Sequence, residues 1–213
     1  MVPSREEVLA ALEKKQGKAA VEKLRSAMVA VCGLGGLGSN IAISLARAGV
    51  GKLVLIDFDK VDVTNLHRQQ YKMAQVGMPK AIALLENLKE IAPYVQYEIH
   101  DEKVTPENVV RLLSGADVVC EAFDNALAKS MLVDTVVEKL PEAYLVAASG
   151  MAGYGNANRI RTRKITERFF LCGDGESDVE NDIGLVAPRV MLCAAHQALV
   201  VVRLLLGLEQ EEK

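Results

Sequence analysis

The sequence predicts an α/β fold, namely a doubly wound, Rossmann-like and mainly parallel sheet with helices on both faces. Short apolar runs such as Met28–Cys32 and Lys52–Ile56 are typical of parallel strands that are buried on both sides. Stretches with helical periodicity, such as Gly36–Ala48 and Pro79–Ala92, separate these runs. Because strands and helices alternate along the chain, we expect parallel pairing through right-handed crossovers.

The remaining helices and strands are predicted from the same kinds of pattern. A helical pattern with a break at Gly17 covers residues 5–26, before the first strand. Past Gly150 the strict alternation ends, and we expect a sheet extension by antiparallel strands, an acidic loop over 173–183 and a buried C-terminal helix over 190–208. The other expected strands are Val95–Ile99, Asp117–Ala122, Tyr144–Ala148, Ala157–Arg163 and Glu167–Leu171, and the other expected helices are Pro106–Leu113 and Ala126–Leu140.

The composition is that of a soluble globular protein. Half of the 213 residues are apolar and 25% are charged, and the formal net charge is −3, which argues against a nucleic-acid-binding protein. The apolar C-terminal stretch contains Arg203, whose charge would be costly in lipid, so we expect no membrane span. The four cysteines form no C-x-x-C pair, and no secretory signal pattern begins the sequence. We therefore expect a reduced, cytoplasmic protein without zinc.

A glycine-rich loop follows the first expected strand. Its glycines permit a tight turn and let backbone N–H groups approach a phosphate at a helix N-terminus. Asp57 ends the second strand 19 residues after the last glycine, where it can accept a hydrogen bond from a ribose hydroxyl. The alternative is that the loop only packs a helix on a strand and that Asp57 is a surface acid. The loop glycines are Gly33, Gly35, Gly36 and Gly38.

This loop alone predicts a dinucleotide-binding dehydrogenase, but three features disagree with that function. The chain is too short for a separate substrate domain, and it offers no evident partner for hydride transfer. Residues 57–70 are also crowded with polar side chains that a nicotinamide site would not need.

Several further motifs occur in a fixed order along residues 18–208, and together they resemble the ThiF/MoeB family of ubiquitin-activating-enzyme-like adenylyltransferases. Within that family the chain looks most like the short ThiF-type proteins that act on thiamine-related sulfur carriers. The motifs are Gly33–Gly38, Ala46–Gly51, Ile56-Asp57-Phe58-Asp59, Asn65-Leu66-x-Arg68-Gln69, Gly77-x-Pro79-Lys80, Phe123-Asp124-Asn125, and Val186-Ala187-Pro188 before a helix that contains Gln197.

The resemblance implies a reaction and a set of site residues. Members of the family bind ATP and Mg²⁺ and join AMP to the C-terminal glycine of a small ubiquitin-like protein, here a ThiS-like sulfur carrier, with release of pyrophosphate. Gly36 would lie against the α-phosphate, Asp57 would hold the ribose, and Asn65 and Arg68 would contact the phosphates. Asp124 would coordinate Mg²⁺. The other polar motif residues expected around the nucleotide are Asp59, Gln69, Lys80 and Asn125.

Two of these residues also have local arguments. Lys80 follows Pro79 in the first turn of a helix, where a cation is disfavoured unless an anion lies nearby, so we expect a bound phosphate there. Asp124 or Asn125 could simply cap the next helix, and capping could coexist with binding of a metal ion. Arg68, Lys80 and Asp124 are the expected catalytic residues.

The same resemblance implies a single adenylation domain over residues 1–213. Its parts would be N-terminal helices (1–27), a nucleotide-binding core (28–150), and a sheet extension with the acidic loop and the C-terminal helix (151–213). A homodimer is also implied. In relatives an N-terminal arginine of the partner subunit completes the site, but only Arg5 and Arg25 are available here and no matching motif surrounds them.

Other residues leave alternatives open. Relatives that handle sulfur place a reactive cysteine before the last helix, but Cys172 stands beside an acidic loop that should raise the pKa of its thiol, so we expect a packing role. Ser149–Gly155 could form the floor for the carrier's glycine tail or a plain turn. The alternating arginines could meet an acidic patch on a carrier or only face solvent, and they are Arg159, Arg161 and Arg163.

Three other functions compete with adenylation of a sulfur carrier. A tRNA-modifying adenylating enzyme would share the fold, although the net charge of −3 disfavours it. An NAD-dependent oxidoreductase would use the glycine loop alone. A catalytically silent, nucleotide-binding regulatory protein would not need Arg68, Lys80 and Asp124 together.

Overall fold

A computed structural model describes residues 2–179 and 184–208 of the chain. Its α-helices are α1 (Arg5–Gln16), α2 (Lys18–Ser26), α3 (Gly36–Ala48), α4 (Lys80–Ile91), α5 (Val109–Leu113), α6 (Ala126–Lys139) and α7 (Ala187–Leu206). Its strands are β1 (Met28–Cys32), β2 (Lys52–Ile56), β3 (Gln96–His100), β4 (Val118–Glu121), β5 (Tyr144–Ala148), β6 (Arg161–Lys164) and β7 (Phe169–Gly173).

The strands form one sheet in the order β3-β2-β1-β4-β5-β7-β6. Every neighbouring pair is parallel except β6 and β7, which run antiparallel at one edge. The predicted doubly wound, mainly parallel sheet with an antiparallel extension is therefore confirmed. Because β1 lies between β2 and β4, the chain reverses its winding direction beside β1, which is where open α/β sheets bind ligands.

Helices cover both faces of the sheet. On one face α3 and α7 pack against each other and against the central strands, with Ile41, Leu45 and Val201 fully buried. On the other face α5 and α6 bury Leu113 and Leu132 against β1, β4 and β5. This two-sided burial explains why the central strands are almost continuously apolar in sequence.

The last helix satisfies a length-and-composition criterion for crossing a membrane. It nevertheless contacts α2, α3, β5, β6 and β7, and it buries Arg189 and Gln197 in the protein interior. These contacts agree with the expected buried C-terminal helix.

Two expected elements of the C-terminal part were placed wrongly. The expected strand Ala157–Arg163 begins instead as a 3-10 turn over Ala157–Arg159, because the Asn156 side chain accepts a hydrogen bond from the N–H of Asn158. The strand expected from Glu167 starts only at Phe169, since the Thr166 hydroxyl accepts hydrogen bonds from the N–H groups of two following residues and turns the chain.

A smaller difference concerns the helix expected from Pro106, which begins only at Val109. The Asn108 side chain accepts a hydrogen bond from the Thr105 N–H and holds the preceding residues in a turn. In the acidic loop, Glu180 and Asp182 lie outside the described residues.

Candidate nucleotide-binding site

A cleft of about 890 Å³ opens at the carboxyl ends of β1, β2, β4 and β5. Ten of the twelve residues expected at the site line this cleft, and the two that do not are Gly38 and Asn65. The ten lining residues are Gly33, Gly35, Gly36, Asp57, Asp59, Arg68, Gln69, Lys80, Asp124 and Asn125.

Different steric constraints require glycine at different positions of the loop. Gly33 has a positive φ of 90°, and a Cβ there would lie 2.8 Å from the carbonyl oxygen of Ala122. A Cβ on Gly38 would lie 1.8 Å from the Gly33 oxygen, so Gly38 serves close packing of α3 on β1. The packing explanation is thus right for Gly38 and incomplete for the rest of the loop.

The N-terminus of α3 faces the cleft without a side-chain cap. Its N-cap residue is Gly35, which has no side chain to bond the first N–H groups of the helix. Gly36 also lines the cleft. Uncapped N–H groups and the positive end of the helix dipole form an anion-binding surface, which fits a phosphate of ATP.

Asp57 ties the second strand to the glycine loop. Its carboxylate accepts hydrogen bonds from the N–H of Leu34 at 2.6 Å and from the N–H of Asp59 at 2.8 Å. Burial raises the pKa of Asp57, while the charge of Lys80 and these hydrogen bonds lower it in part. The expected position at the end of β2 is correct, and the carboxylate also borders the cleft where a ribose could lie.

Lys80 is the first residue of α4 and is buried, with its Nζ 2.8 Å from the Oδ2 of Asp59. From the sequence, we expected a bound phosphate to compensate the positive charge of Lys80 at this helix N-terminus. The structure shows that Asp59 already supplies a negative partner within the chain. Because Lys80 borders the cleft as well, its ammonium can reach a phosphate while Asp59 holds it in place.

Arg68 and Gln69 carry polar atoms without a partner in the described parts of the chain. The Arg68 Nε and the Gln69 Oε1 are buried and make no hydrogen bond there. Burial lowers the pKa of Arg68, and the nearby charge of Asp124 opposes this shift. Unpartnered buried polar atoms on a cleft wall fit a site that a polar ligand completes.

Asn65 is not among the residues that line the cleft. Its Oδ1 accepts a hydrogen bond from the Gln69 Nε2 at 3.0 Å, so it orients Gln69. A direct contact of Asn65 with the phosphates stays a prediction.

Asn125 caps a helix, and its neighbour Asp124 is the candidate metal ligand. The Asn125 Oδ1 accepts a hydrogen bond from the N–H of Ala128 at 3.0 Å and caps α6. Asp124 is exposed in the cleft, and its carboxylate makes no hydrogen bond with any residue in 2–179 or 184–208. A carboxylate without a hydrogen-bond partner in the described residues, beside a phosphate site, fits Mg²⁺, which typically takes one or two carboxylates together with substrate phosphates.

A metal ion could also be held by protein side chains alone. In the described part of the chain, no group of three or more His, Cys, Asp or Glu side chains is arranged to hold a metal ion. The absence of zinc, expected from the cysteine spacing, stays a prediction.

All four cysteines are buried and free. Burial raises the pKa of Cys172 to about 11, although a hydrogen bond from Thr162 and the charge of Arg163 oppose this rise. The direction agrees with the expectation from the sequence, but the cause is burial rather than a charge from the described part of the acidic loop. The first acid of that loop, Asp174, is instead paired with Arg189.

Sequence reasoning missed two ion pairs, one beside the cleft and one beside a separate hollow that Asp174 lines. Glu121, at the end of β4, pairs with Lys129 of α6, and burial raises the pKa of Glu121 while Lys129 lowers it. Asp174 pairs with Arg189, which also donates to the carbonyl oxygens of Gly155 and Asn156. A glutamate that ends an otherwise apolar strand was the signal available for the first pair.

The segment expected as a floor for a glycine tail has an appropriate position, since Ser149, Gly150, Met151 and Ala152 line the cleft. The three arginines border a separate hollow of about 250 Å³ next to Asp174 and Glu176. Arg159 pairs with Glu176, so this arginine is engaged within the chain.

Comparison with known proteins identifies related sequences. The model of the ThiF family matches residues 9–213. An adenylyltransferase and sulfurtransferase uba4 of Aspergillus terreus is 35% identical over 202 residues, which is 89% of this chain and 41% of the relative. A sulfur carrier protein adenylyltransferase of Thermus thermophilus is 38% identical over 117 residues, 54% of this chain and 43% of the relative. This chain thus spans about two fifths of the length of these relatives.

A third relative acts on a different substrate. The tRNA threonylcarbamoyladenosine dehydratase of Escherichia coli is 34% identical over 175 residues, 80% of this chain and 64% of the relative. The solved structure of the E. coli tRNA N6-threonylcarbamoyladenosine dehydratase in complex with AMP superposes with a TM-score of 0.85 at 23% identity, covering 97% of this chain and 98% of that chain. At this identity the superposition shows a shared fold.

Proposed function

The chain belongs to the ThiF family, and we propose that it is an ATP-dependent adenylyltransferase. Its substrate would be the C-terminal glycine carboxylate of a small ubiquitin-like, ThiS-like sulfur-carrier protein. The product would be the acyl-adenylate, with pyrophosphate released, and the pathway would be thiamine-related sulfur transfer. The names of the uba4 and Thermus thermophilus relatives, both adenylyltransferases, support this reaction class.

The observation that carries the proposal is the set of charges around one cleft. Arg68 and Lys80 bring two cations to the end of the cleft where the uncapped N-terminus of α3 lies. A carboxylate that attacks a triphosphate brings two anions together, so the reaction needs concentrated positive charge. Hydride transfer does not bring two anions together, so an oxidoreductase does not need cations placed for that step.

The reaction would proceed by attack of a glycine carboxylate oxygen on the α-phosphorus of ATP. A new O–P bond forms, the bond between the α-phosphorus and the bridging oxygen to the β-phosphate breaks, and pyrophosphate leaves. Arg68 and Lys80 would stabilise the negative charge that builds on the phosphate oxygens. Mg²⁺, held by Asp124, would supply further charge neutralisation on the triphosphate. Ser149 and Gly150 line the part of the cleft where the glycine tail would lie.

We further propose that the protein is a cytoplasmic homodimer and that residues 1–213 form a single adenylation domain. Met191 and Leu199 are exposed on one side of α7 and offer apolar area for a subunit contact. Arg5 opens α1, and the preceding Pro3 accepts a hydrogen bond from the Tyr94 hydroxyl near the end of α4. Arg5 is not among the residues that line the cleft of its own subunit.

A second candidate function is adenylation of a tRNA nucleoside. The dehydratase relative of E. coli covers more of this chain than the Thermus thermophilus relative does. The exposed arginines of β6, Arg161 and Arg163, would then contact phosphates. The net charge of −3 argues against this candidate.

Calorimetric titration with Mg-ATP, and with NADH in parallel, tests the proposal. We expect Mg-ATP to bind, the binding to weaken in EDTA, and the effect of magnesium to vanish in Asp124→Ala. Pyrophosphate release on addition of a glycine-tailed carrier protein, and not on addition of tRNA, would then separate the two candidate substrates. Binding of NADH without binding of Mg-ATP would contradict the proposal.

A further inference from the structure

A buried ion pair lies beneath the loop that carries Asp124. Glu121 is the last residue of β4 and its side chain is 1% exposed. The Lys129 Nζ lies 3.1 and 2.9 Å from its two carboxylate oxygens. The same carboxylate accepts hydrogen bonds from the N–H groups of Phe123, at 2.7 Å, and of Ala148.

Lys129 occupies an unusual place for a cation. It lies in the first turns of α6, where the helix dipole disfavours positive charge. Its ammonium points back to the sheet and also donates to the carbonyl oxygen of Ala148, 3.2 Å away at the end of β5. One side chain therefore joins the ends of β4 and β5 to the start of α6.

These contacts constrain the short connection that contains Asp124. The connection runs from Ala122 to Asn125, between β4 and α6. The N–H of Phe123 is bonded to Glu121 on one side of Asp124, and the Asn125 side chain caps α6 on the other. With both neighbours fixed, the backbone of Asp124 is held in one place, while its carboxylate keeps no hydrogen bond within the described ranges.

We propose that Lys129 and Glu121 are a positioning pair for Asp124, which they hold where its carboxylate meets the divalent cation that accompanies ATP. This inference rests on the proposed function, because it assumes that Asp124 binds that cation. Lys129 itself borders the cleft, but both carboxylate oxygens of Glu121 hold its ammonium. The pair therefore acts through Asp124: it affects the contribution of magnesium to ATP binding and leaves the metal-free binding of ATP unchanged. Residues that support a metal ligand in this way typically change metal affinity by 10- to 100-fold.

The test measures the dissociation constant of ATP in excess MgCl₂ and in EDTA, and uses the ratio of the constant in EDTA to the constant in MgCl₂. We expect Lys129→Met to reduce this ratio about tenfold, with the constant in EDTA unchanged. Lys129→Arg, which keeps the cation, should retain the wild-type ratio. Lys139→Met is the matched control, because Lys139 is an exposed lysine on the same helix.

A second variant guards against misfolding, because Lys129→Met leaves the Glu121 carboxylate buried without its cation. The double variant Glu121→Gln/Lys129→Met buries no charge, and we expect it to melt near the wild-type temperature and still to lose the magnesium effect. A wild-type ratio in this folded double variant would overturn the proposal, and so would an equal loss of affinity in MgCl₂ and in EDTA.

Asp124→Asn separates this inference from the proposed function. Loss of the magnesium effect in Asp124→Asn with retention in the Lys129 variants would reject the positioning pair alone. Retention of the effect in Asp124→Asn would reject both the metal site and the pair. Failure of the wild-type protein to bind ATP would reject the proposed function itself.

Discussion

The Nζ of Lys80 and the Oδ2 of Asp59 lie 2.8 Å apart, and the backbone N–H of Lys80 also donates to the Asp59 carbonyl oxygen at 2.8 Å. The two contacts join the segment after β2 to the first turn of α4. Lys80 is buried and Asp59 is half exposed, so the cation is held against the cleft by a partner that water still reaches.

Replacing Lys80 with Met should abolish most of the adenylation activity. We expect turnover to fall about 100-fold or more, as on removal of one group that stabilises transition-state charge. The free energy of unfolding should fall as well, because the buried Asp57 carboxylate loses the positive charge that lowers its pKa, whereas the Asp59 carboxylate is solvated.

Lys72→Met is the matched control for this variant, since Lys72 makes a similar 2.8 Å ion pair with Glu90 on the surface. Turnover and urea denaturation should both stay near wild type in the control. Wild-type turnover in Lys80→Met would show that Lys80 serves only to anchor α4.

The sequence predicted the central fold well for a physical reason. Strands buried on both faces are short apolar runs, so β1 and β2 were predicted with their observed bounds. The edge strand β6 is polar and mostly exposed, and its start depends on the Asn156 turn, so apolar periodicity could not locate it. The glycine loop, Asp57 and Asp124 follow buried strands, which is why their place beside the cleft could be predicted from the sequence.

The contacts among site residues could not be read from the sequence. That Asn65 orients Gln69, and that Asp59 compensates Lys80, depends on which side chains the loops bring together. The pair Glu121 and Lys129 joins two elements across the connection that carries Asp124, and its partner Ala148 comes from a third element.

Cys172 should be unreactive in the native protein. Its side chain is fully buried, and burial raises the pKa of the thiol to about 11, so almost no thiolate is present at pH 8. We expect intact-mass measurement to find no alkylation by iodoacetamide at pH 8, and alkylation of all four cysteines in guanidinium. Cys172→Ala should keep wild-type turnover, and loss of turnover in this folded variant would indicate a covalent role for the thiol.

Asp174 should contribute stability that disappears in acid. Burial raises the pKa of this carboxylate, but hydrogen bonds from the backbone of Ser177 and Glu176 and from Arg189 outweigh it and lower the pKa from 3.8 to about 2. A lowered folded-state pKa stabilises the protein above pH 3.8 and loses that effect as the pH falls toward 2. The shift corresponds to about 2 kcal/mol at neutral pH.

The check is urea denaturation of wild type and Asp174→Asn between pH 7 and pH 3. The difference in the free energy of unfolding should be constant above pH 5 and should narrow below pH 4. Glu167→Gln is the control, because Glu167 makes an exposed ion pair with Lys164 in the turn between β6 and β7. A difference that is independent of pH would contradict the assigned charge state.

Gly36→Ala should weaken ATP binding for a steric reason. The added Cβ would lie 2.9 Å from the Val190 Cγ1 and 3.4 Å from the Arg68 Cγ, at the wall of the cleft. We expect ATP affinity to fall about tenfold and stability to fall by about 1–3 kcal/mol. Val190→Ala in the same chain should recover stability but not affinity, whereas recovery of both would show that Gly36 only serves packing against α7.

The most direct test of carrier adenylation is ATP–pyrophosphate exchange with a glycine-tailed sulfur-carrier protein, Mg²⁺ and radiolabelled pyrophosphate. We expect exchange that requires the intact C-terminal glycine of the carrier and that is lost in Lys80→Met and Asp124→Ala. A protein that binds Mg-ATP but shows no exchange with any glycine-tailed carrier, or that shows equal exchange without one, would contradict this function.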